Sequence, residues 1–199
     1  MKKILFTGFD PFGGESTNPA LLAVQALPDT IGDTQIIKME LPTIFGKSSA
    51  VLLDAIEDIR PDAVVMVGQA GGRAGITIER VAINIEDATM ADNAGIVATN
   101  RPIAADGPAA YFSTLPIADI VDRLRAGDIP AGISNTAGTF VCNHVMYQAL
   151  HYANKAGIPM PAGFIHVPYL PTQVLDKPAT ASMALTTITR ALEIIANSL

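Results

Sequence analysis

Short apolar runs alternate with longer segments of helical periodicity along the chain. Ala63–Val67 is a run of five apolar residues, as in a buried strand, and Ser48–Ile59 before it places its apolar residues on one helical face. A chain in which strands and helices alternate tends to form a mainly parallel sheet with helices on both faces. This order predicts an α/β fold, a three-layer α/β/α sandwich with a mixed, mainly parallel central sheet.

The same patterns predict the remaining elements. Asn18-Pro19 is typical of a helix start, because asparagine caps the first turn and proline is tolerated at the first helical position. Strands are predicted at residues 4–7, 35–41, 63–67, 76–85 and 163–167, and helices at 18–27, 48–59, 117–124, 141–153 and 181–196. Residues 86–114 carry turn signals and are expected to be irregular or to form short hairpins. We expect residues 1–199 to form one catalytic domain.

Charge and hydropathy exclude several partners. The chain has 19 acidic and 13 basic side chains, a formal net charge of −6, and no basic run longer than Lys2-Lys3. Nucleic acids and anionic membranes are therefore not expected to bind. The apolar runs are also far shorter than the roughly 20 residues of a membrane span. With one cysteine there is no internal disulfide or cysteine-based zinc site, so the composition favours a reducing cytoplasm.

That single cysteine, Cys142, lies where a loop of small residues runs into a predicted helix. Backbone N–H groups and the helix dipole stabilise a thiolate in a first helical turn, which predicts a lowered thiol pKa. The same N–H groups are suited to bind an oxyanion. The alternative interpretation is a small, buried apolar side chain without a chemical role. Cys142 is therefore a candidate nucleophile.

A cysteine nucleophile needs a base, and the chain offers three histidines. His144 is two residues along the same helix, about 200° around its axis, and faces elsewhere. His151 lies more than two turns further on. His166 ends the predicted strand at residues 163–167, where carboxyl ends of strands gather ligand sites. Elimination therefore favours His166, with a hydrogen-bonded core histidine as the alternative.

Glu79 is expected on the same strand face as Val81 and Ile83, because strand side chains alternate. A carboxylate among apolar neighbours needs a hydrogen-bonding or charged partner. One partner is His166, whose imidazole Glu79 would orient as the third member of a catalytic triad. The other possibility is a structural ion pair with Arg73 or Arg80.

Two glycine-rich loops, at residues 8–14 and 68–73, lack both the Gly-x-Gly-x-x-Gly spacing and the Gly-Lys-Ser/Thr ending of nucleotide-binding loops. The first loop instead carries Phe9 and Phe12, which we expect it to expose at a site for a small neutral ring. The alternative is that both rings seal the core.

Five sequence blocks, in order, resemble the pyroglutamyl peptidase I family. They are Thr7–Glu15 with Asn18-Pro19, Val67–Arg73, Glu79–Asn84, Thr136–His144 and Gly163–Tyr169. The resemblance extends from residue 4 to about residue 171. It implies a cysteine exopeptidase that removes an N-terminal pyroglutamyl residue from peptides.

The resemblance implies Cys142 as nucleophile, His166 as general base and acid, and Glu79 as orienting carboxylate, the same residues that elimination favours. It also implies a lactam pocket formed by Phe9, Phe12, Gln69, Phe140 and Val141. A flat, uncharged lactam suits aromatic walls with one polar partner. No metal or organic cofactor is implied, and the family resemblance implies a homotetramer.

One position departs from the family pattern. Thr89 stands where the family usually has an arginine that lies near the cysteine and helps to stabilise the oxyanion. Arg73 and Arg101 are the candidates to replace it. This departure motivates two alternative functions: a cysteine amidohydrolase acting on another blocked N-terminal amide, and a noncatalytic homologue that binds lactams.

Overall fold

A seven-stranded sheet forms the centre of the molecule in a computed structural model that describes residues 1–199. Its strands follow the order β2-β3-β1-β4-β9-β5-β8, and β6 and β7 form a separate pair. The strands are β1 (Lys2–Phe9), β2 (Thr30–Ile31), β3 (Thr34–Leu41), β4 (Ala63–Gln69), β5 (Ile76–Glu79), β6 (Val81–Ile83), β7 (Ala110–Phe112), β8 (Ala131–Ser134) and β9 (Ala162–Val167). Strands β3, β1, β4 and β9 are parallel, whereas β2 and β5 run antiparallel to β3 and β9.

Helices cover both faces of this sheet. They are α1 (Pro19–Ala26), α2 (Lys47–Ile59), α3 (Ile117–Ala126), α4 (Val141–Ala156) and α5 (Leu185–Ala196), with one 3-10 turn at Pro171–Gln173. Residues of α1, α3 and α5 share one apolar core with the sheet, and those of α2 and α4 share the other. The predicted three-layer sandwich with a mixed, mainly parallel sheet is confirmed. None of the five helices is long and apolar enough to cross a membrane.

Most predicted elements are present with small shifts of their ends. Asn18 caps α1 as expected, because its Oδ1 accepts a hydrogen bond of 3.0 Å from the backbone N–H of Ala20. Helix α5 begins four residues later than predicted, at Leu185, and the edge strand β8 was not predicted. The segment at residues 86–114 is largely irregular, as expected, and contains only the short strand β7.

The single strand predicted at residues 76–85 is wrong. The chain changes sheets at Arg80, whose backbone N–H donates to Ser134 O and whose carbonyl accepts from Ser113 N. Strand β5 before it pairs with β8 and β9, and β6 after it pairs with β7. Glu79 is therefore fully buried in the main sheet, and the shared strand face predicted with Val81 and Ile83 does not exist.

Candidate active site

Cys142 is the second residue of α4, and its sulfur lies close to Gly68 near the end of β4. A methyl group placed on Gly68 would come within 3.2 Å of the Cys142 sulfur and 2.7 Å of the Phe164 ring. Real Cβ atoms essentially never approach backbone or ring atoms below 3.0 Å, so a residue with a side chain at position 68 would displace Phe164 or the thiol. Gly68 therefore allows the start of α4 to lie closely against the end of β4.

His166 and Glu79 meet because of the register between β5 and β9. Thr77 lies opposite His166, so Glu79, two residues further, is on the same sheet face. Nδ1 of His166 donates to Oε1 of Glu79 at 2.7 Å. Nε2 has no protein partner and is not among the fully buried unpartnered atoms. The imidazole is thus oriented by the carboxylate, with Nε2 free to exchange a proton.

The thiol and this imidazole lie on the same side of the sheet. The Phe164 ring lies over Gly68, where the Cys142 sulfur also lies. The centroid of the Phe164 ring is 4.8 Å from that of the His166 ring. No hydrogen bond joins Cys142 and His166 in this structure. Catalytic hydrogen bonds are often long before substrate binds and tighten in the reacting complex.

Of the three partners that the sequence suggested for Glu79, His166 and Arg73 contact it and Arg80 does not. Arg73 donates to Oε1 of Glu79 at 2.7 Å, beside the bond from His166. Arg80 instead donates to Asn135. The carboxylate is therefore shared by an imidazole and a guanidinium, and the structural and catalytic interpretations of Glu79 do not exclude each other.

The same geometry distinguishes Arg73 from Arg101, the two candidates to replace the arginine that the family usually has at position 89. Thr89 is exposed, and Arg101 is bonded to the carboxylate of Glu86. Arg73 lies beside Glu79, and its positive charge lowers the pKa of the Cys142 thiol. Arg73 is therefore the cation that acts on the thiol.

The expectation of a lowered thiol pKa is wrong. Burial and the negative charge of Glu79 together raise the pKa of Cys142 to about 12, although Arg73 and the helix-start N–H act in the opposite direction. Burial also lowers the pKa of His166, against the raising effect of Glu79. At neutral pH both groups are therefore uncharged.

Glu79 is ionised in this setting. Burial alone would raise the pKa of its carboxyl, but the hydrogen bonds from His166 and Arg73, and the charge of His166 once it is protonated at low pH, outweigh burial and lower the pKa. The buried carboxylate is thus the fixed negative charge of the site.

The predicted pocket residues divide into two groups. Phe12 is partly exposed, and its ring centroid lies 6.1 Å from that of Phe140. Phe9, in contrast, ends β1 and is buried against Phe164, so the expectation that the loop exposes both rings is wrong for Phe9. Phe45, which sequence reasoning missed, meets Phe140 edge to face at 5.3 Å. Its position between a strand and a helix start gave no local signal.

Gln69 and Val141 are both buried. Gln69 ends β4, and its side-chain oxygen accepts a hydrogen bond of 2.9 Å from Gln173, which follows β9. Val141 precedes Cys142 and belongs to the core between the sheet and α4. Contact of these residues with a substrate stays a prediction. No group of three or more His, Cys, Asp or Glu side chains is arranged to hold a metal ion.

His144, set aside as a base, has a different set of partners. Its Nδ1 donates to Oε1 of Glu86, and its Nε2 lies 2.8 Å from the hydroxyl of Ser49. Sequence reasoning missed Glu86. The argument made for Glu79, that an acid beside apolar residues needs a partner, also applies to Glu86.

An α/β sheet that brings a lone cysteine to the same edge as a carboxylate-bound histidine is characteristic of cysteine-type hydrolases. Comparison with known proteins identifies the family of cysteine-type hydrolases. A family model described as pyroglutamyl peptidase matches residues 2–199. The chain belongs to this family, as the resemblance predicted, and is an enzyme of the cysteine peptidase class.

Individual relatives agree with this assignment. A pyrrolidone-carboxylate peptidase of Clostridium perfringens is 55% identical over 192 residues, covering 96% of this chain and 90% of that protein. One of Streptococcus pyogenes is 56% identical over 191 residues, covering 96% and 89%. The crystal structure of Bacillus amyloliquefaciens pyroglutamyl peptidase I covers 100% of this chain and 96% of its own, with a TM-score of 0.96 at 47% identity.

Proposed function

We propose that this enzyme hydrolyses the amide bond after an N-terminal pyroglutamyl residue of peptides, with Cys142 as nucleophile, His166 as general base and acid, and Glu79 as orienting carboxylate. The observation that carries the proposal is the 2.7 Å bond from His166 Nδ1 to Glu79, which leaves Nε2 free on the face where the Cys142 sulfur lies. Family membership supports the substrate class.

The reaction begins from an uncharged thiol and an uncharged imidazole. As the sulfur attacks the pyroglutamyl carbonyl carbon, His166 Nε2 takes the thiol proton, and the carbonyl oxygen becomes an oxyanion bound by N–H groups at the start of α4. Collapse of this intermediate breaks the carbon–nitrogen bond, and Nε2 gives its proton to the leaving amine.

A thioester on Cys142 remains. Water gives a proton to Nε2 and attacks the thioester carbon, and the second tetrahedral intermediate releases pyroglutamate and the thiol, which recovers its proton from Nε2. Glu79 stays ionised throughout and stabilises the imidazolium that forms in each half of the reaction. Residues 1–199 act as one catalytic domain in this proposal, because Glu79 and Cys142 come from opposite halves of the chain.

The lactam ring would lie against the aromatic group formed by Phe12, Phe45 and Phe140. The Phe140 ring packs against both Phe12 and Phe45, and Phe12 is partly exposed. A flat, uncharged five-membered ring gains most from apolar and aromatic walls of this kind.

The test is release of a fluorescent amine from its pyroglutamyl amide by the purified protein, with the prolyl amide of the same amine as the control. The prolyl compound has the same ring size but lacks the lactam carbonyl and carries a charged amine. Cleavage of the first substrate alone is expected. Cleavage of neither, with cleavage of another blocked N-terminal amide, would refute the proposal and favour the amidohydrolase alternative.

The pH dependence of hydrolysis follows from the shifted pKa values of His166 and Cys142. The base must be uncharged to accept the thiol proton, and burial lowers the pKa of His166 below its usual 6.5. We therefore expect kcat/KM to fall about tenfold per pH unit below that pKa and to be flat from pH 7 to 9, since the thiol pKa is about 12. A rate that instead increases steadily between pH 7 and 9 would mean that a thiolate controls the reaction.

A further inference from the structure

The structure contains a second histidine–carboxylate pair, and the proposed reaction does not use it. His144, two residues after Cys142 on α4, donates through Nδ1 to Glu86, whose other oxygen accepts from Arg101. The Ser49 hydroxyl beside Nε2 is buried, so this group offers no nucleophile to a substrate. The pair joins α4 to the irregular segment that follows β6.

Two further contacts join the same segment to the residues around Cys142. The side chain of Asn143 accepts from the N–H of Ile83 at 2.9 Å and donates to the carbonyls of Ile83 and Ile85. One residue beyond Glu86, the backbone N–H of Asp87 donates to Thr139 O at 3.1 Å, and the Thr139 hydroxyl donates to Asp87 O.

Residues 83–87 therefore bind α4 from both sides of the nucleophile. Thr139 lies in the loop that enters the helix, and Asn143 and His144 lie in its first turn. No side chain caps this helix start, because its cap residue is Phe140. The direction of the first N–H groups of α4 thus depends on these contacts with residues 83–87 and not on a local cap.

We propose that the Glu86–His144 pair is a positioning pair, which holds the N–H groups at the start of α4 in line with the oxyanion that forms during hydrolysis. Among the contacts that join α4 and its entry loop to residues 83–87, it is the only one between two ionisable side chains, and both are buried. Charge-assisted hydrogen bonds are roughly twice as strong as neutral ones, so this contact restrains the segment most. The inference rests on the proposed function, because it acts on the transition state of that reaction.

The matched test is a pair of substitutions, His144→Asn and His144→Gln. Both remove the imidazole and its edge contact with Phe45, whose centroid lies 6.1 Å away. The side-chain nitrogen of asparagine replaces Nδ1 and can still donate to Glu86, whereas that of glutamine replaces Nε2 and reaches Ser49 instead. Each variant keeps one of the two bonds of His144, so a loss of kcat in the glutamine variant alone would follow the bond to Glu86 and not the bond to Ser49.

We expect His144→Gln to lower kcat for the pyroglutamyl amide about 10- to 100-fold with KM nearly unchanged, since misaligned oxyanion donors act only on the transition state. His144→Asn is expected to keep kcat within about threefold of the original protein. The rate of Cys142 alkylation by iodoacetamide should differ between the two far less than kcat does, because displacement of iodide forms no oxyanion and the helix-start N–H is only one of several influences on the thiol pKa. A thermal unfolding curve for each variant records any general loss of stability.

Equal kcat values in the two variants would overturn the inference. An alkylation rate that falls in parallel with kcat would also overturn it, because the pair would then support the whole site and not the oxyanion donors. The inference would also be overturned if the loss of kcat paralleled the fall in Tm and did not depend on whether the variant keeps the bond to Glu86. If the unsubstituted protein hydrolyses no pyroglutamyl amide, the proposed function itself fails, and that result is separate from any difference between variants.

Discussion

Cys142→Ser is expected to reduce turnover of a pyroglutamyl amide by at least about 10⁴-fold. Removal of a covalent nucleophile leaves only substrate positioning and oxyanion binding, and comparable losses in hydrolases reach about 10⁶-fold. A serine hydroxyl is similar in size to the thiol but is a far weaker nucleophile toward an amide at neutral pH. The measurement is single-turnover and steady-state release of the amine with purified variant protein.

The control for this variant is stability and ligand binding. Serine at position 142 leaves the apolar core around Val141 intact, so the thermal midpoint should move by no more than about 3 °C. Protection against unfolding by 2-pyrrolidone, the bare lactam, should persist, because a ligand that binds only the folded protein raises its apparent stability. Turnover above a few per cent of the original rate would contradict Cys142 as nucleophile.

Glu79→Gln is expected to lower kcat by about 10³- to 10⁴-fold. A glutamine side chain donates its N–H to Nδ1 of His166, which moves the imidazole proton to Nε2 and removes the base. The carboxylate also raises the pKa of His166, so its loss should shift the acid limb of any residual activity to lower pH. Both effects are measured in one pH profile of kcat/KM.

Asp119→Asn is the matched control for Glu79→Gln. Asp119 forms an ion pair with Arg123 at 2.7 Å on the surface of α3, with both side chains about half exposed. Exposed pairs contribute roughly 0–1 kcal/mol, so kcat should stay within about twofold. A similar loss of activity in both variants, or a Glu79→Gln profile with an unshifted acid limb, would contradict the orienting role.

Local sequence signals predicted the elements of this fold well. The buried run at Ala63–Val67 and the cap at Asn18 depend on neighbours within a few residues, and both are present in the structure. The strand predicted through residue 80 failed because the pairing partners of its two halves, near Ser134 and Phe112, are distant in sequence. No local pattern marks the residue at which a chain leaves one sheet for another.

The residues of the site also divide into those that the sequence predicted and those that depend on contacts between distant segments. Elimination among three histidines led to His166, and the structure places its imidazole on Glu79. The thiol pKa was predicted in the wrong direction, because the helix start is a local feature whereas the burial of Cys142 against β4 depends on tertiary packing. Phe45 and Glu86 were missed because their importance comes only from Phe140 and His144, which are distant from them in the chain.

The sequence by itself determined the α/β class, the family, and the identity of the three residues proposed for catalysis, because periodicity, composition and motifs are carried by neighbouring residues and by residue type. The tertiary structure alone decided which arginine acts on the thiol, the direction in which the pKa values of Cys142 and His166 shift, and the contacts that orient the start of α4. These properties depend on distances and burial between segments far apart in the chain, and electrostatic interactions change steeply with both.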